Sequence, residues 1–243
     1  MTLLKYSGNI SVSALRQVYH IFPINTKRIW EGSMKLELLH ISTQKDCILQ
    51  DITAEFAEGI HGLFGPDVAA KKQLFCYMEA LGKPECGQAR FLEYDVMVLG
   101  IAYRNHLAYL DRYPLYPETF SAYHYLVHTS LLQRLTIQEA RQKALHILRD
   151  FGMEEIRDCT LDKLPEFVAC RLNLLQTLLS EAPILLLEEP LRGLCEADCR
   201  LALDILEKYK DQKIILIAAK EEAPYKALPL VSYRLTDGIL TRV

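Results

Sequence analysis

Residues Gly59–Gln73, GIHGLFGPDVAAKKQ, read as the end of a strand, a loop and the start of a helix. Gly62-Leu63-Phe64-Gly65 is apolar and closes on glycine. Pro66-Asp67 is a turn signal, and Ala69-Ala70-Lys71-Lys72-Gln73-Leu74 holds good helix formers. A strand, a glycine-started loop and a helix N-terminus gather free backbone N–H groups at the positive end of the helix dipole, which suits an anion. The phosphate-loop pattern G-x-x-x-x-G-K-S/T puts Gly65, Ala70, Lys71 and Lys72 in register. The second glycine is thus an alanine. The hydroxyl that would hold magnesium is an ammonium.

Around this stretch lie 243 residues, enough for one large domain or two lobes. Half the chain is apolar and 24% is charged, which suits a globular protein with a sizeable core. The formal charge of −3 points to neither nucleic acid nor an anionic membrane surface. No apolar run approaches the ~20 residues of a spanning helix. The N-terminus lacks the order of a secretory signal. Seven cysteines are scattered without a C-x-x-C pair and read as reduced thiols of a cytosolic protein.

Residues 1–33 do not fit the pattern of the remaining chain. Met34 opens a clean strand, Met34-Lys35-Leu36-Glu37-Leu38-Leu39. Trp30-Glu31-Gly32 precedes it, and its codons can spell a purine-rich ribosome-binding sequence before an ATG. The expectation is that Met34 is the true start and 1–33 is translated upstream sequence; a real N-terminal extension is the alternative. From there Leu36–Ser42, Cys47–Leu49 and Ile52–Phe56 read as short strands and Gly59–Phe64 as an apolar one. A helix comes next over Lys71–Ala80 and a strand over Gly87–Leu92. Helical spacing covers Ser121–Leu132, Ile137–Phe151 and Leu164–Ser180. Ile184–Leu187 is a buried strand, Ala197–Tyr209 a helix and Lys213–Ala218 a strand. Val231–Leu235 with Gly238–Thr241 makes a closing hairpin. Buried strands alternating with helices argue a parallel α/β sheet.

The order of these motifs resembles the nucleotide-binding subunit of an ATP-binding-cassette (ABC) transporter from Met34 to Val243. Gly62-Leu63-Phe64-Gly65-Pro66-Asp67 resembles the family's GLLGPN, and Leu115-Tyr116-Pro117-Glu118-Thr119-Phe120 its LYPELT. Ile184-Leu185-Leu186-Leu187-Glu188-Glu189-Pro190, with Gly193-Leu194, resembles LLLLDEP…GLD, and Asp237-Gly238 the late DG hairpin. The resemblance implies an α/β, P-loop NTPase-like cassette with an antiparallel β subdomain and a helical subdomain. It places the ABC-type domain at 34–243, with the helical insert at about 116–180.

The departures carry chemistry. Val68 and Ala70 replace glycines, so a Cβ obstructs close approach to a phosphate. Lys71 matches the lysine that reaches the β- and γ-phosphates; its bland reading is a solvated lysine at a helix start. Lys72 stands at the magnesium-binding Ser/Thr and disfavours a metal there. Arg112 aligns with the glutamine-loop glutamine. Leu164-Pro165-Glu166-Phe167-Val168 replaces the signature LSGGQ. Glu188 keeps a carboxylate for a metal on a longer arm, and Glu189 matches the general base. Cys195 takes the D-loop aspartate, and Ala219 the switch histidine. The adenine-stacking aromatic expected near Gln44–Asp46 is missing. Arg171 matches a family arginine.

These losses predict a pseudo-ATPase with weak or absent ATP binding and magnesium lost. The implied partners are an integral membrane permease and a second ABC subunit, in a homo- or heterodimer. The implied location is cytoplasmic, at the inner face of the cell membrane. The main expectation is an exporter subunit that couples to its permease with little or no hydrolysis. Tyr109, Tyr113, Tyr116, Phe120, Tyr123 and Tyr125 then line the partner-facing groove or simply pack the core. Two alternatives remain: a soluble regulatory or scaffold protein, and a slow ATPase in which Lys72 and Arg112 replace the magnesium charge. His124 and His128 share a helix face but have no evident third ligand.

Overall fold

The computed structural model describes residues 34–43, 48–112, 119–133 and 135–243. Residues 1–33, the Gln44–Asp46 stretch, Tyr113, Tyr116 and all of the LYPETF segment but Thr119 and Phe120 lie outside them.

A four-stranded antiparallel sheet opens the described chain. Its strands are β1 (Lys35–Ser42), β2 (Ile52–Ala57), β4 (Cys86–Phe91) and β5 (Tyr94–Asp95), in the order β2-β1-β4-β5. The inward residues of β1, Leu36, Leu38 and Ile41, are fully buried and alternate with more exposed neighbours. That period of two is the mark of a half-buried strand.

The second sheet has six strands in the order β10-β9-β3-β8-β7-β6. They are β3 (Gly59–Phe64), β6 (Leu107–Leu110), β7 (Ile184–Glu188), β8 (Ile214–Ala219), β9 (Leu230–Thr236) and β10 (Ile239–Arg242). The first five of these run parallel. Only β10 is antiparallel, returning through Asp237-Gly238, both at positive φ, as a two-residue hairpin demands.

The helices are α1 (Val68–Met78), α2 (Val96–Leu99), α3 (Ile101–Arg104), α4 (Ala122–Leu132), α5 (Ile137–Asp150), α6 (Glu166–Leu178) and α7 (Glu196–Tyr209). Ser121 caps α4, and Thr136 with Glu139 forms a reciprocal capping box on α5.

The parallel sheet is the middle of three layers. Ile184, Leu186, Ile214 and Leu216 face α1 and the antiparallel sheet, with Leu74, Phe75, Leu36 and Leu38. Leu185, Leu187, Ile215 and Ile217 face α4 to α7, with Leu126, Leu148, Leu172 and Leu206. Both faces are covered, which is why β7 and β8 read as unbroken apolar runs.

Several expectations shift. Residues 48–50 form no strand, so the Cys47–Leu49 reading fails over its described part. The strand β6 stands at Leu107–Leu110, just before Arg112, where the sequence reading assigns no strand. The helix α1 begins three residues before its expected start at Lys71. Among the described residues, no helix is long and apolar enough to cross a membrane.

Candidate functional site

The carboxyl ends of β3, β8, β7 and β6 lie side by side, the place where parallel α/β sheets take ligands. Gly65 comes directly after β3 at φ +135°, and a Cβ there would stand 2.1 Å from the Leu235 carbonyl oxygen. Only glycine fits. Its amide donates to the Lys220 carbonyl at 3.3 Å. The surviving loop glycine therefore has a packing reason of its own.

The early start of α1 is the work of Asp67. Its carboxylate accepts the Ala70 N–H at 2.9 Å, a side-chain N-cap, and its carbonyl accepts the Lys71 N–H at 3.3 Å. One N–H of the helix start is thus capped by a carboxylate of the chain itself.

Lys71 is only 4% exposed. Its ammonium donates to the Gly65 carbonyl at 2.6 Å and to the Ala219 carbonyl at 2.7 Å. It thus ties the loop to the end of β8, where the family pattern has its switch histidine. Burial pushes its pKa down, against the attraction of Glu189 and Asp67. The bland reading, a solvated helix-start lysine, does not describe it. Lys72, one residue on, is exposed.

Glu189 has a positive φ of 47° and turns back onto β8. Its carboxylate accepts the Lys220 N–H at 2.8 Å, and its own N–H donates to the Ala218 carbonyl. Lys71 and Glu189 therefore pin the ends of β3, β7 and β8 together.

Beneath this clasp lies a buried acidic group that the motifs do not assemble. Glu188 is 8% exposed; the Tyr109 hydroxyl and the Arg112 backbone N–H donate to its carboxylate. Its Oε1 is buried and has no hydrogen-bond partner among the described residues. Burial, then the nearby Asp111 charge, raise its pKa, against Lys72. Glu79, at the C-terminal end of α1, is pushed up to about 8 by burial and then by the Glu188 and Asp111 charges. The Tyr103 hydroxyl is fully buried, also without a described partner. About two helical turns separate Lys72 from Glu79, and the other carboxylates come from Glu188 at the end of β7 and Asp111 just after β6, so no local pattern announces the group. Among the described residues, no three His, Cys, Asp or Glu side chains converge to hold a metal ion.

The signature position opens α6. Pro165 is its N-cap and gives no side-chain hydrogen bond, Glu166 sits in the first turn, and Phe167 is 55% exposed. Arg171 binds the Phe151 carbonyl at 2.7 Å and pairs with Asp198 of α7 at 3.1 Å. Cys195 is the N-cap of α7. Three of the described aromatics make contacts within the molecule. Tyr125 is buried and donates to Asn173 at 2.7 Å, Tyr109 sits edge-on to Phe75, and Phe120 lies against His128. His124 pairs instead with Ser121.

A covered parallel sheet with a glycine loop, a lysine and a helix at the end of β3 defines an α/β fold of the P-loop NTPase type. No family model matches the chain. It is 25% identical over 152 residues to the daunorubicin/doxorubicin resistance ATP-binding protein DrrA of Streptomyces peucetius, over 63% of this chain and 46% of that protein. It is 32% identical over 135 residues to the probable multidrug ABC transporter ATP-binding protein YbhF of Escherichia coli (strain K12), over 55% of this chain and 23% of that protein. The matches thus span less than half the length of these relatives. A solved structure described as the ATP-binding subunit of an ABC transporter superposes with a TM-score of 0.76 at 19% identity, covering 86% of this chain and 90% of that one. The chain has the fold of that ATP-binding subunit, and the curated proteins it resembles in sequence are ABC-type ATP-binding proteins.

Proposed function

We propose that this chain is the ATP-binding-type subunit of an ABC exporter, coupled to an integral membrane permease with little or no ATP hydrolysis. The exporter class rests on the names of its relatives, a drug-resistance ATP-binding protein and a probable multidrug one. The loss of hydrolysis is supported by one observation, that two polar groups of the loop already bond within the chain. Asp67 takes the helix N-terminal N–H, and Lys71 spends its ammonium on Gly65 and Ala219.

The residues do not fit a resident magnesium ion. Lys72 replaces its hydroxyl ligand, and no set of three ligands converges among the described residues. Phosphoryl transfer needs preorganised donors at the developing charge, and losing one typically costs ~2.7–4 kcal/mol. Here the metal hydroxyl, the glutamine, the signature donors and the switch histidine are all replaced. One carboxylate oxygen of Glu189, the candidate general base, accepts the Lys220 N–H. The cassette extends over 34–243, with its helical insert at about 116–180, and works at the inner face of the cell membrane beside the permease and a second ABC subunit.

Purified chain incubated with ATP and magnesium is expected to release no phosphate above background. Release that Glu189→Gln abolishes would overturn the reading. One observation favours a slower, metal-free alternative: the Lys72 charge acts on both Glu79 and Glu188, as a magnesium charge would. That alternative requires ATP binding that survives a metal chelator.

A further inference from the structure

Beside Gly65 lies a cavity of about 420 Å³ that Ala70, Lys71, Lys72, Glu188 and Glu189 do not line. Its floor is Phe64, a member of the core on the α4–α7 side of the sheet. Two neighbours fix the ring. It tilts against the buried Tyr225 at 5.8 Å between centroids, and it lies over Gly62, where a Cβ would stand 2.3 Å from it. Only glycine at 62 leaves the ring that place, so the floor is preformed. Pro66 and the exposed Ala223 continue the apolar wall.

The rim is charged. The exposed Lys220, Lys226 and Arg234 outnumber Glu221 and Glu222, and none of these is ion-paired among the described residues. The surplus is one positive charge, which suits a monoanion. The backbone amides nearby are already committed. The Gly65 N–H donates to the Lys220 carbonyl, the Lys220 N–H to the Glu189 carboxylate and the Tyr225 N–H to the Glu222 carbonyl. A phosphate site gathers open N–H groups; this rim offers side-chain charges instead. The volume is that of a small-molecule site and exceeds what a bare inorganic anion fills.

We propose that this cavity binds a small organic monoanion with a flat apolar body, of the class of an aromatic carboxylate or sulfonate. The body rests on Phe64, Pro66 and Ala223, and the charge meets Lys226 and Arg234. A bound anion braces the 220–226 segment against the end of β3, where Gly65 already holds Lys220. This site stands whether or not the Gly65–Lys71 loop takes phosphate.

The test is calorimetric titration of the full chain with 1-naphthalenesulfonate. The expected result is a single site per chain with a Kd on the order of 100 µM, unmoved by millimolar ATP. Methanesulfonate, which has the charge without the ring, and 1-naphthalenemethanol, which has the ring without the charge, each bind at least about tenfold more weakly. Lys226→Glu with Arg234→Glu weakens the sulfonate at least about tenfold. Ala223→Trp, which fills the cavity and keeps every charge, abolishes binding. These positions are all exposed, and each variant's melting temperature checks that it is folded. No saturable binding by the unaltered chain would overturn the proposal, whatever the variants do. Equal binding of the naphthyl alcohol, displacement by ATP, or binding indifferent to folded charge-reversed and cavity-filled variants would also overturn it.

Discussion

The interiors of β7 and β8 and the loops at their carboxyl ends have fared differently in this chain. Ile184 to Leu187 and Ile214 to Ile217 are apolar at every position and fully buried. A few residues further on, the Lys71 ammonium and the Glu189 carboxylate bond to backbone groups at the neighbouring strand ends. The contrast separates what builds the fold from what performs the reaction. Burial on both faces of a parallel sheet needs only apolar side chains of about the right size. A phosphate site needs particular atoms at particular angles. The strand interiors meet the first requirement; the proposed function holds that the loops no longer meet the second.

The largest effect is expected in the strand interior. Leu186→Ala should cost about 2–5 kcal/mol, the range for a buried leucine that leaves a cavity. The urea midpoint would fall accordingly. A loss below about 1 kcal/mol would mean that β7 does not carry the core as its burial implies.

The next effect lies under the clasp. The carboxyl of Glu79 titrates near 8 in the folded chain against an ordinary value of 4.5. The folded state therefore binds more protons than the unfolded state between those values, and this contribution to stability falls as pH rises from 4.5 to 8. The loss should reach about 2–4 kcal/mol at the top of the window. Glu79→Gln should flatten that part of the unfolding profile. A profile unchanged by the substitution would remove Glu79 from the buried group.

Lys71 sharpens the comparison further. A lysine kept for phosphate could be removed at little cost to the fold. Here Lys71→Met strands two buried carbonyls, on Gly65 and Ala219, and should cost about 1–3 kcal/mol. Unchanged thermal stability would return this residue to the role its motif suggests. The smallest effect is at the cap: Asp67→Ala should cost about 1 kcal/mol by unfolding, while Asp67→Asn keeps an acceptor and should cost less.

Much of the fold was legible because burial is written in the period of the sequence. Alternation in β1, continuous apolar runs in β7 and β8, and the Asp237-Gly238 turn all carry their structures locally. The short strand β6 escaped because Leu107–Leu110 has only four residues, too few to show a period, and runs straight into the stretch aligned with the glutamine loop. The start of α1 escaped for a chemical reason. Pro66-Asp67 reads equally as a turn and as a cap, and only the 2.9 Å bond to Ala70 decides between them. The candidate site was legible by position and not by role. Gly65, Ala70, Lys71, Glu188 and Glu189 do gather at the ends of β3, β7 and β8, but what each side chain grips depends on partners distant in sequence. Lys71 meets Ala219, and Glu188 meets Tyr109 and Arg112. Glu79 and Asp111 gave no local signal, since their neighbourhood exists only once α1 is laid across β6 and β7.

The most direct test of the closed site is thermal unfolding of the purified chain at millimolar ATP, with magnesium and with a chelator. Closure by Asp67 and Lys71 predicts the same melting temperature in all three conditions, without nucleotide, with ATP–magnesium and with ATP alone. A rise that appears with ATP–magnesium and vanishes on chelation would show an open, metal-dependent phosphate site, and would contradict the account.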